Sequence, residues 1–531
     1  MQRDNTKSKV SDMLSGLVGG TLSLTASALI VKFIGLIYKI PIASLLGDEG
    51  MGYFNSAYTV YGLFYLLCTA GVPKAVMILI SEAKARTRES EEATILRVAS
   101  ALFIVIGSVM TTILILFAGK ISSLIGNSKS YATMIAIAPS IVLVSLSGVI
   151  RGYLSANSRL IDIALSQIIE GVGKLGLGLL LAMVGKRLNL PIEILSALTV
   201  LGVTFGAFFG LVYLLICSKV KIKREKIGQN KITYRILPTV KRIFSISIPI
   251  TLSAAIMSIT NLIDLGLIMR SLVNIGYSEG SASALYGNYT TLAVPMLNLA
   301  TSIISPISIA FLPLFTRFFV SSDTEGLREA EKNAIRFTSM LSAPIMIGLM
   351  VYPREILAML FSNSEIETGA ALLYLLAPSI LFSSILLILN TILEAYGKVK
   401  APLISMAIGG VVKIIISYYL ITKTDMGILG APIGTVMSYA TALLVSTIIY
   451  GKEFKRHIPI FEGNILPHIN AFIAIILSRI VYDRLVLLLS ETPALLISIA
   501  LAALIYLGIS AFCGFIEPKK ISEIAKYTNL S

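Results

Sequence analysis

The stretch LSGLVGGTLSLTASALIVKFIGLIYKIPIASLLGDEGMG, residues 14–52, decides what kind of chain this is. It is an apolar run long enough to cross a bilayer, interrupted at Lys32 and Lys39 and ended by Gly47-Asp-Glu-Gly-Met-Gly52. A lysine near the middle of a membrane helix costs roughly 2.5–3.5 kcal/mol on insertion scales unless it faces protein or a wet cavity. Lys32 sits at the midpoint of the run and so marks an interior. At helical spacing Thr25, Ala28, Lys32, Gly35 and Lys39 share a small, cationic face, whereas Leu29, Phe33 and Ile37 share one suited to lipid. Lys39 either belongs to that interior or snorkels to an interface.

The rest of the chain repeats this apolar character. Of 531 residues, 56% are hydrophobic and 14% charged, which defines an all-α polytopic membrane protein with no room for a large soluble domain. The net charge of +15 does not indicate nucleic acid, because the basic residues lie in short loops between apolar spans. Cys68, Cys217 and Cys513 stand singly, and the two histidines, His457 and His468, flank one loop, so neither a disulfide framework nor a metal centre is expected. No cofactor is implied. The first span is too long for a signal h-region and is expected to stay in the mature protein.

Apolar runs of about 20 residues place about fourteen spans, at 16–44, 53–80, 95–118, 131–155, 161–184, 192–216, 243–269, 286–315, 336–353, 368–392, 401–422, 427–450, 465–488 and 493–515. With both termini cytoplasmic, most lysines and arginines fall on the inner side, as the positive-inside rule requires. The chain then reads as an N-terminal lobe (1–218, six spans), a basic cytoplasmic linker (219–242), a second lobe (243–456, six spans), and two further spans with a tail (457–531).

Six spans per lobe give both lobes one orientation, and a repeat is visible at an offset of 239. Ala138-Pro-Ser-Ile141 recurs as Ala377-Pro-Ser-Ile380, and Gly171-Val-Gly-Lys174 as Gly410-Val-Val-Lys413. Two pseudo-symmetric six-helix lobes are the plan of a rocking transporter with its site near the bilayer midplane.

Several polar residues in the spans are candidates for that site. Glu170 and Lys174 are one helical turn apart and can neutralise each other, but the repeat keeps Lys413 and replaces Glu170 by Gly409. Asn261 and Asp264 share a face of span seven, with Arg270 at its outer end; Asp264 reads as a coupling-ion ligand, as the partner of a lobe lysine, or as a structural carboxylate. Span eight carries Pro295, Asn298, Pro306 and Pro313, so it is expected to bend or line a cavity. Tyr58, Tyr61 and Tyr65 recur at helical spacing, as an aromatic belt or as a wall on which a sugar stacks. There is no phosphate-cradling G-x-x-x-x-G-K-[ST] and no catalytic triad, so the chain is not read as an enzyme, and transport would draw on a gradient or the membrane potential.

Lys39-Ile-Pro-Ile, Gly47-Asp-Glu-Gly-Met-Gly-Tyr-Phe-Asn-Ser-Ala-Tyr58, Thr69-Ala-Gly-Val-Pro73, Arg151-Gly-Tyr153 and Ser166-Gln-Ile-Ile-Glu170 resemble the stage V sporulation protein B group. That group belongs to the multidrug/oligosaccharidyl-lipid/polysaccharide exporter superfamily and is related to the MurJ-type lipid II flippases. The resemblance covers almost the whole chain. It implies export of an undecaprenyl-diphosphate-linked sugar, foremost lipid II, across the plasma membrane for peptidoglycan or spore-cortex synthesis. It also implies a diphosphate held by cations, with Lys32 matching a span-one arginine and Lys39 lying near a second. The span-eight arginine of those relatives falls at about Tyr289, leaving Arg270, Lys174 or Lys413 as the replacement.

Competing readings are a flippase for another lipid-linked repeat unit, a cation-coupled multidrug exporter, and a non-transporting scaffold for cell-wall synthases. The exporter would prefer a carboxylate-lined cavity, whereas Lys32, Lys39, Lys174 and Lys413 outnumber Asp264 and Glu170. The expected partners are a lipid-linked oligosaccharide and membrane lipids, and a monomer suffices for this plan.

Overall fold

The computed structural model describes residues 2–86, 89–218, 236–361 and 365–513, without the side chains of 2–33, 36, 89–90, 253, 256–257 and 309. The Lys32 side chain, most of the linker 219–242 and the tail beyond 513 therefore lie outside the described residues. Among the described residues every element is helical. The chain begins with α1 (Gln2–Thr69), α2 (Val72–Ala85), α3 (Glu89–Leu124), α4 (Tyr131–Ile137), α5 (Ser140–Ala156), α6 (Leu160–Arg187), α7 (Ile192–Ser218), α8 (Ile236–Asn274) and α9 (Glu279–Asn288). It continues with α10 (Val294–Val320), α11 (Thr324–Val351), α12 (Pro353–Leu360), α13 (Ile366–Leu376), α14 (Ser379–Ala395), α15 (Lys400–Lys423), α16 (Gly430–Phe454), α17 (Ile460–Leu485) and α18 (Glu491–Phe512).

Among the described residues ten stretches are long and apolar enough to cross a membrane, and two bent helix pairs raise the number to 12. These fall on twelve of the expected segments. The other two, 16–44 and 243–269, contain undescribed side chains, so a count of fourteen is not reached among the described residues.

The repeat seen in sequence has a structural counterpart. Pro139 and Pro378 lack an N–H and crowd the preceding turn, so each span breaks there. Ser128–Ile137 meets Ser140–Ala156, and Ile366–Leu376 meets Ser379–Ala395, both at 40°. Ser140 Oγ donates to the Ile137 carbonyl and Ser379 Oγ to the Leu376 carbonyl, each at 2.6 Å, satisfying carbonyls left over at the break because the Ile141 and Ile380 N–H groups turn to Ala138 and Ala377. The same four residues thus build the same elbow twice.

The chain divides into two compact units, Met1–Val273 with Tyr277–Gly287, and Asn274–Gly276 with Asn288–Ser531. The division inside span eight falls just before a π-helical turn, Tyr289–Ala293, which Pro295 follows. Helices α8 and α9 pack within the first unit: Arg242 pairs with Glu82, and a Cβ on Gly71 would lie 2.3 Å from the Ser247 carbonyl oxygen.

In the first unit, Val72, Val76, Ile80, Ala99, Phe103, Val149 and Ile243 form an apolar core. Helices α6 and α7 touch through glycine, and a Cβ on Gly202 would come within 2.5 Å of the Gly178 Cα. Small contact residues let membrane helices approach closely where lipid gives no hydrophobic drive. Gly47, at φ 63° and ψ −179°, breaks α1 in a conformation open essentially to glycine alone.

In the second unit α15 and α16 meet in the same way, since a Cβ on Gly409 would lie 2.5 Å from the Ser438 carbonyl oxygen. That contact is a physical reason why the repeat carries glycine where the first unit has Glu170. Near the start of α11, Glu331 is fully buried and accepts from Tyr396 Oη and Tyr450 Oη at 3.0 Å and from Arg456 at 2.8 Å. One carboxylate thereby ties together α11, α14, α16 and the turn before α17.

Candidate functional site

The densest gathering of predicted site residues lies in the first unit. Because α1 breaks at Gly47, Tyr38 before the break comes to 6.3 Å from Phe54 after it. From Phe54 a ladder of rings follows the helix: Phe54 on Tyr58 at 6.0 Å and nearly parallel, Tyr58 on Tyr61 at 5.7 Å, and Tyr61 on Tyr65 at 5.7 Å. The spacing of three and four residues puts these side chains on one face. Tyr58 is exposed (38%), whereas Tyr61 is buried (5%). Of the proposed sugar wall, Tyr58 therefore offers a surface and Tyr61 does not.

Helix α6 lays two charges against this ladder. The Lys174 ammonium sits 5.1 Å from the centroid of the Tyr38 ring and 4.7 Å from that of Tyr58, and it donates to Tyr58 Oη at 3.4 Å. Ammonium groups over tyrosine faces are attracted by the ring quadrupole, more strongly where water is scarce. Lys39, the neighbour of Tyr38, is within Coulombic reach of the same ammonium. One cation thus sits in an aromatic corner, and a second lies within its Coulombic reach.

Glu170 does not neutralise Lys174 along the helix. Its carboxylate takes Arg151 of α5 at 2.8 Å, with side chains 14% and 29% exposed. Tyr65 lies within Coulombic reach of both members of that pair. Sequence reasoning missed Tyr38 and the role of Arg151. The available signal for Arg151 was opposite charge on the two arms of the hairpin turning at 157–159. Tyr38 carried no comparable signal, since its closeness to Phe54 depends on how α1 folds at Gly47.

The remaining candidates are dispersed. Asp264 is buried in α8, Asn261 is exposed, and exposed Arg270 packs its stem beside Gly126. In the second unit Lys413 is half-buried within Coulombic reach of Tyr439, and Asn298 is exposed. Tyr289, where relatives are expected to carry an arginine, is buried, and its hydroxyl pairs with Thr435 Oγ1 at 2.9 Å.

Among the described residues the chain is an all-helical, two-unit membrane protein with a repeated elbow span, and solved structures share this fold. The lipid II flippase MurJ in an inward closed conformation superimposes with a TM-score of 0.68 at 17% identity, covering 92% of this chain and 98% of that one. An inward-facing multidrug resistance MATE family transporter of the MOP superfamily gives 0.64 at 15% identity, covering 82% and 98%. The sequence profile described as "Lipid II flippase MurJ" matches residues 42–511, and the chain belongs to that family.

Among curated relatives, stage V sporulation protein B of Bacillus subtilis (strain 168) is 24% identical over 451 residues, 83% of this chain and 84% of that protein. The lipid II flippase MurJ of the same organism is 24% identical over 462 residues, 84% of each chain. Family membership makes the chain a flippase-type transporter of a lipid-linked precursor, a multi-pass membrane protein and not an enzyme.

Proposed function

We propose that this protein moves lipid II, an undecaprenyl-diphosphate-linked sugar, from the inner to the outer leaflet of the plasma membrane by alternating access, for peptidoglycan or spore-cortex synthesis. Lys39 and Lys174 hold the diphosphate together with Lys32, and Lys413 or Arg270 supplies a further cation. The sugar occupies the polar surface at Tyr58, and the lipid tail stays in the bilayer. The lobes are 1–218 and 243–456, both termini are cytoplasmic, and 457–531 follows as two spans and a tail.

The observation that carries this reading is the Lys174 ammonium. It is held inside a membrane unit against tyrosine faces, while the carboxylate one turn before it is taken by Arg151. A membrane cation kept from its neighbouring carboxylate suits an anionic ligand. Energetics agree, because each negative charge leaving a negative-inside cell gains roughly 2.3 kcal/mol per 100 mV.

The test is appearance of lipid II on the outer leaflet of cells depleted of their own flippase. The wild-type chain is expected to restore it, and Lys32→Ala and Lys174→Ala to abolish it. Restoration by both variants at the wild-type rate would remove the cationic site, and no restoration by well-expressed wild-type protein would remove lipid II as cargo.

A further inference from the structure

We propose that Gly206 of α7 is a positioning residue for the anion grip: because it lacks a Cβ, α6 can seat Glu170 and Lys174 one turn apart against α7, with the carboxylate turned to Arg151 and the ammonium to the tyrosines of α1. This rests on the lipid-diphosphate reading above and deepens it.

Thr199, Gly202, Gly206 and Gly210 recur at intervals of three and four residues and so line one face of α7. The Thr199 carbonyl accepts from Tyr38 Oη at 3.2 Å, which anchors the ring lying 5.1 Å from the Lys174 ammonium. A Cβ on Gly202 would lie 2.7 Å from the Lys174 carbonyl oxygen. One on Gly206 would lie 2.5 Å from the Glu170 carbonyl oxygen, 2.9 Å from the Lys174 nitrogen and 3.1 Å from the Lys174 Cβ, and one on Gly210 would lie 3.2 Å from the Glu170 Cβ. The backbone that carries both charges thus rests directly on glycine, and the Tyr38 ring is tied to the same helix.

The repeat shows what this glycine permits. In the second unit a Cβ on Gly434 of α16 would lie 3.1 Å from the Lys413 carbonyl oxygen, so Gly434 stands behind Lys413 as Gly202 stands behind Lys174. One turn further along, the glycine is on the other helix: α16 carries Ser438, and α15 carries Gly409, whose Cβ would lie 2.5 Å from the Ser438 carbonyl oxygen. A crossing this close holds a side chain on one helix only. Where α16 supplies it, position 409 has no room for a carboxylate; where α7 gives it up at Gly206, position 170 carries one. Glu170 then reaches Arg151 at 2.8 Å. A methyl added at position 206 meets backbone atoms, which have no rotamer to escape into, so α6 must move off α7 by roughly 0.5–1 Å. Binding constellations tolerate about 0.5 Å, so the ammonium leaves its place although no polar group has been changed.

Calorimetry of undecaprenyl diphosphate binding to the full-length protein in nanodiscs tests this. Gly206→Ala is expected to weaken binding by roughly 10-fold. Gly210→Ala, the milder change because its methyl meets the Glu170 Cβ at 3.2 Å, should weaken it by roughly 3-fold and keeps the test open where Gly206→Ala does not fold. Gly463→Ala is the packing control: a Cβ there would lie 3.0 Å from the Lys332 carbonyl oxygen, between α17 and α11, so it should lower unfolding stability and leave the affinity unchanged. In Lys174→Met, which keeps Lys32 and Lys39, adding Gly206→Ala should weaken binding by less than about twofold. Wild-type affinity in a folded Gly206→Ala or Gly210→Ala variant, an equal loss in Gly463→Ala, or a further 10-fold loss in the Lys174→Met background would overturn the positioning role and leave the diphosphate reading intact. Failure of the wild-type protein to bind undecaprenyl diphosphate would overturn both.

Discussion

Replacing Glu331 by alanine should destabilise the second unit by about 3–5 kcal/mol, the range for leaving one partner of a buried ion pair without the other. The side chain of Glu331 is 1% exposed, and its carboxylate meets Arg456 at 2.8 Å and two tyrosine hydroxyls at 3.0 Å. Each hydroxyl left without an acceptor adds about 1 kcal/mol, whereas Arg456, 25% exposed, can turn partly to water and recover some of the loss. Glu331→Gln keeps an acceptor for the hydroxyls and removes the charge, so about 1.5–3 kcal/mol is expected. Glu331→Ala combined with Arg456→Ala should cost less than the sum of the singles, with a coupling of at least about 1 kcal/mol. Reversible unfolding in mixed micelles, monitored by helicity, reads these differences. A loss below about 1 kcal/mol for Glu331→Ala, or additive single variants, would refute the claim that this carboxylate ties the helix ends together.

Other expectations follow from single positions. Gly47→Ala forces an L-residue to φ 63° and ψ −179° and should cost about 1–3 kcal/mol in the same assay. Gly348, inside α11, faces a cavity of ≈ 290 Å³ between α11, α17 and α18, and a Cβ there would meet nothing within 4 Å. Gly348→Ala should therefore stabilise by about 0.5–1 kcal/mol. Arg151→Gln frees Glu170 to compete for Lys174; because the pair is partly exposed, the stability loss should be about 1 kcal/mol, yet lipid-diphosphate affinity should fall, measured by calorimetry.

Much of the architecture was legible in residues 14–52 and in the 239-residue repeat. Apolar run length reports bilayer crossing directly, whereas Pro139 and Pro378, legible in sequence only as a matched pair in the repeat, mark the two 40° elbows that the structure shows. What sequence periodicity does not encode is which neighbour a charged side chain chooses. Glu170 has Lys174 one turn away on its own helix, but the guanidinium of Arg151, across the hairpin, offers a stronger directional partner. Likewise Tyr61 and Tyr65 share the spacing of Tyr58, and only packing decides that Tyr61 is buried while Tyr58 is open. Glu331 went unread because a glutamate near a basic loop looks like a solvated charge until Tyr396, Tyr450 and Arg456, distant in sequence, close around it.

The aromatic corner of the first unit is the proposed grip on a lipid diphosphate. Its most direct test is transbilayer movement of lipid II in proteoliposomes holding the purified chain or its Lys39→Ala/Lys174→Ala variant, with an outside label reading the exposed leaflet. Movement by the wild-type protein that is lost in a stably folded double variant is the predicted result. Equal movement by both would contradict it.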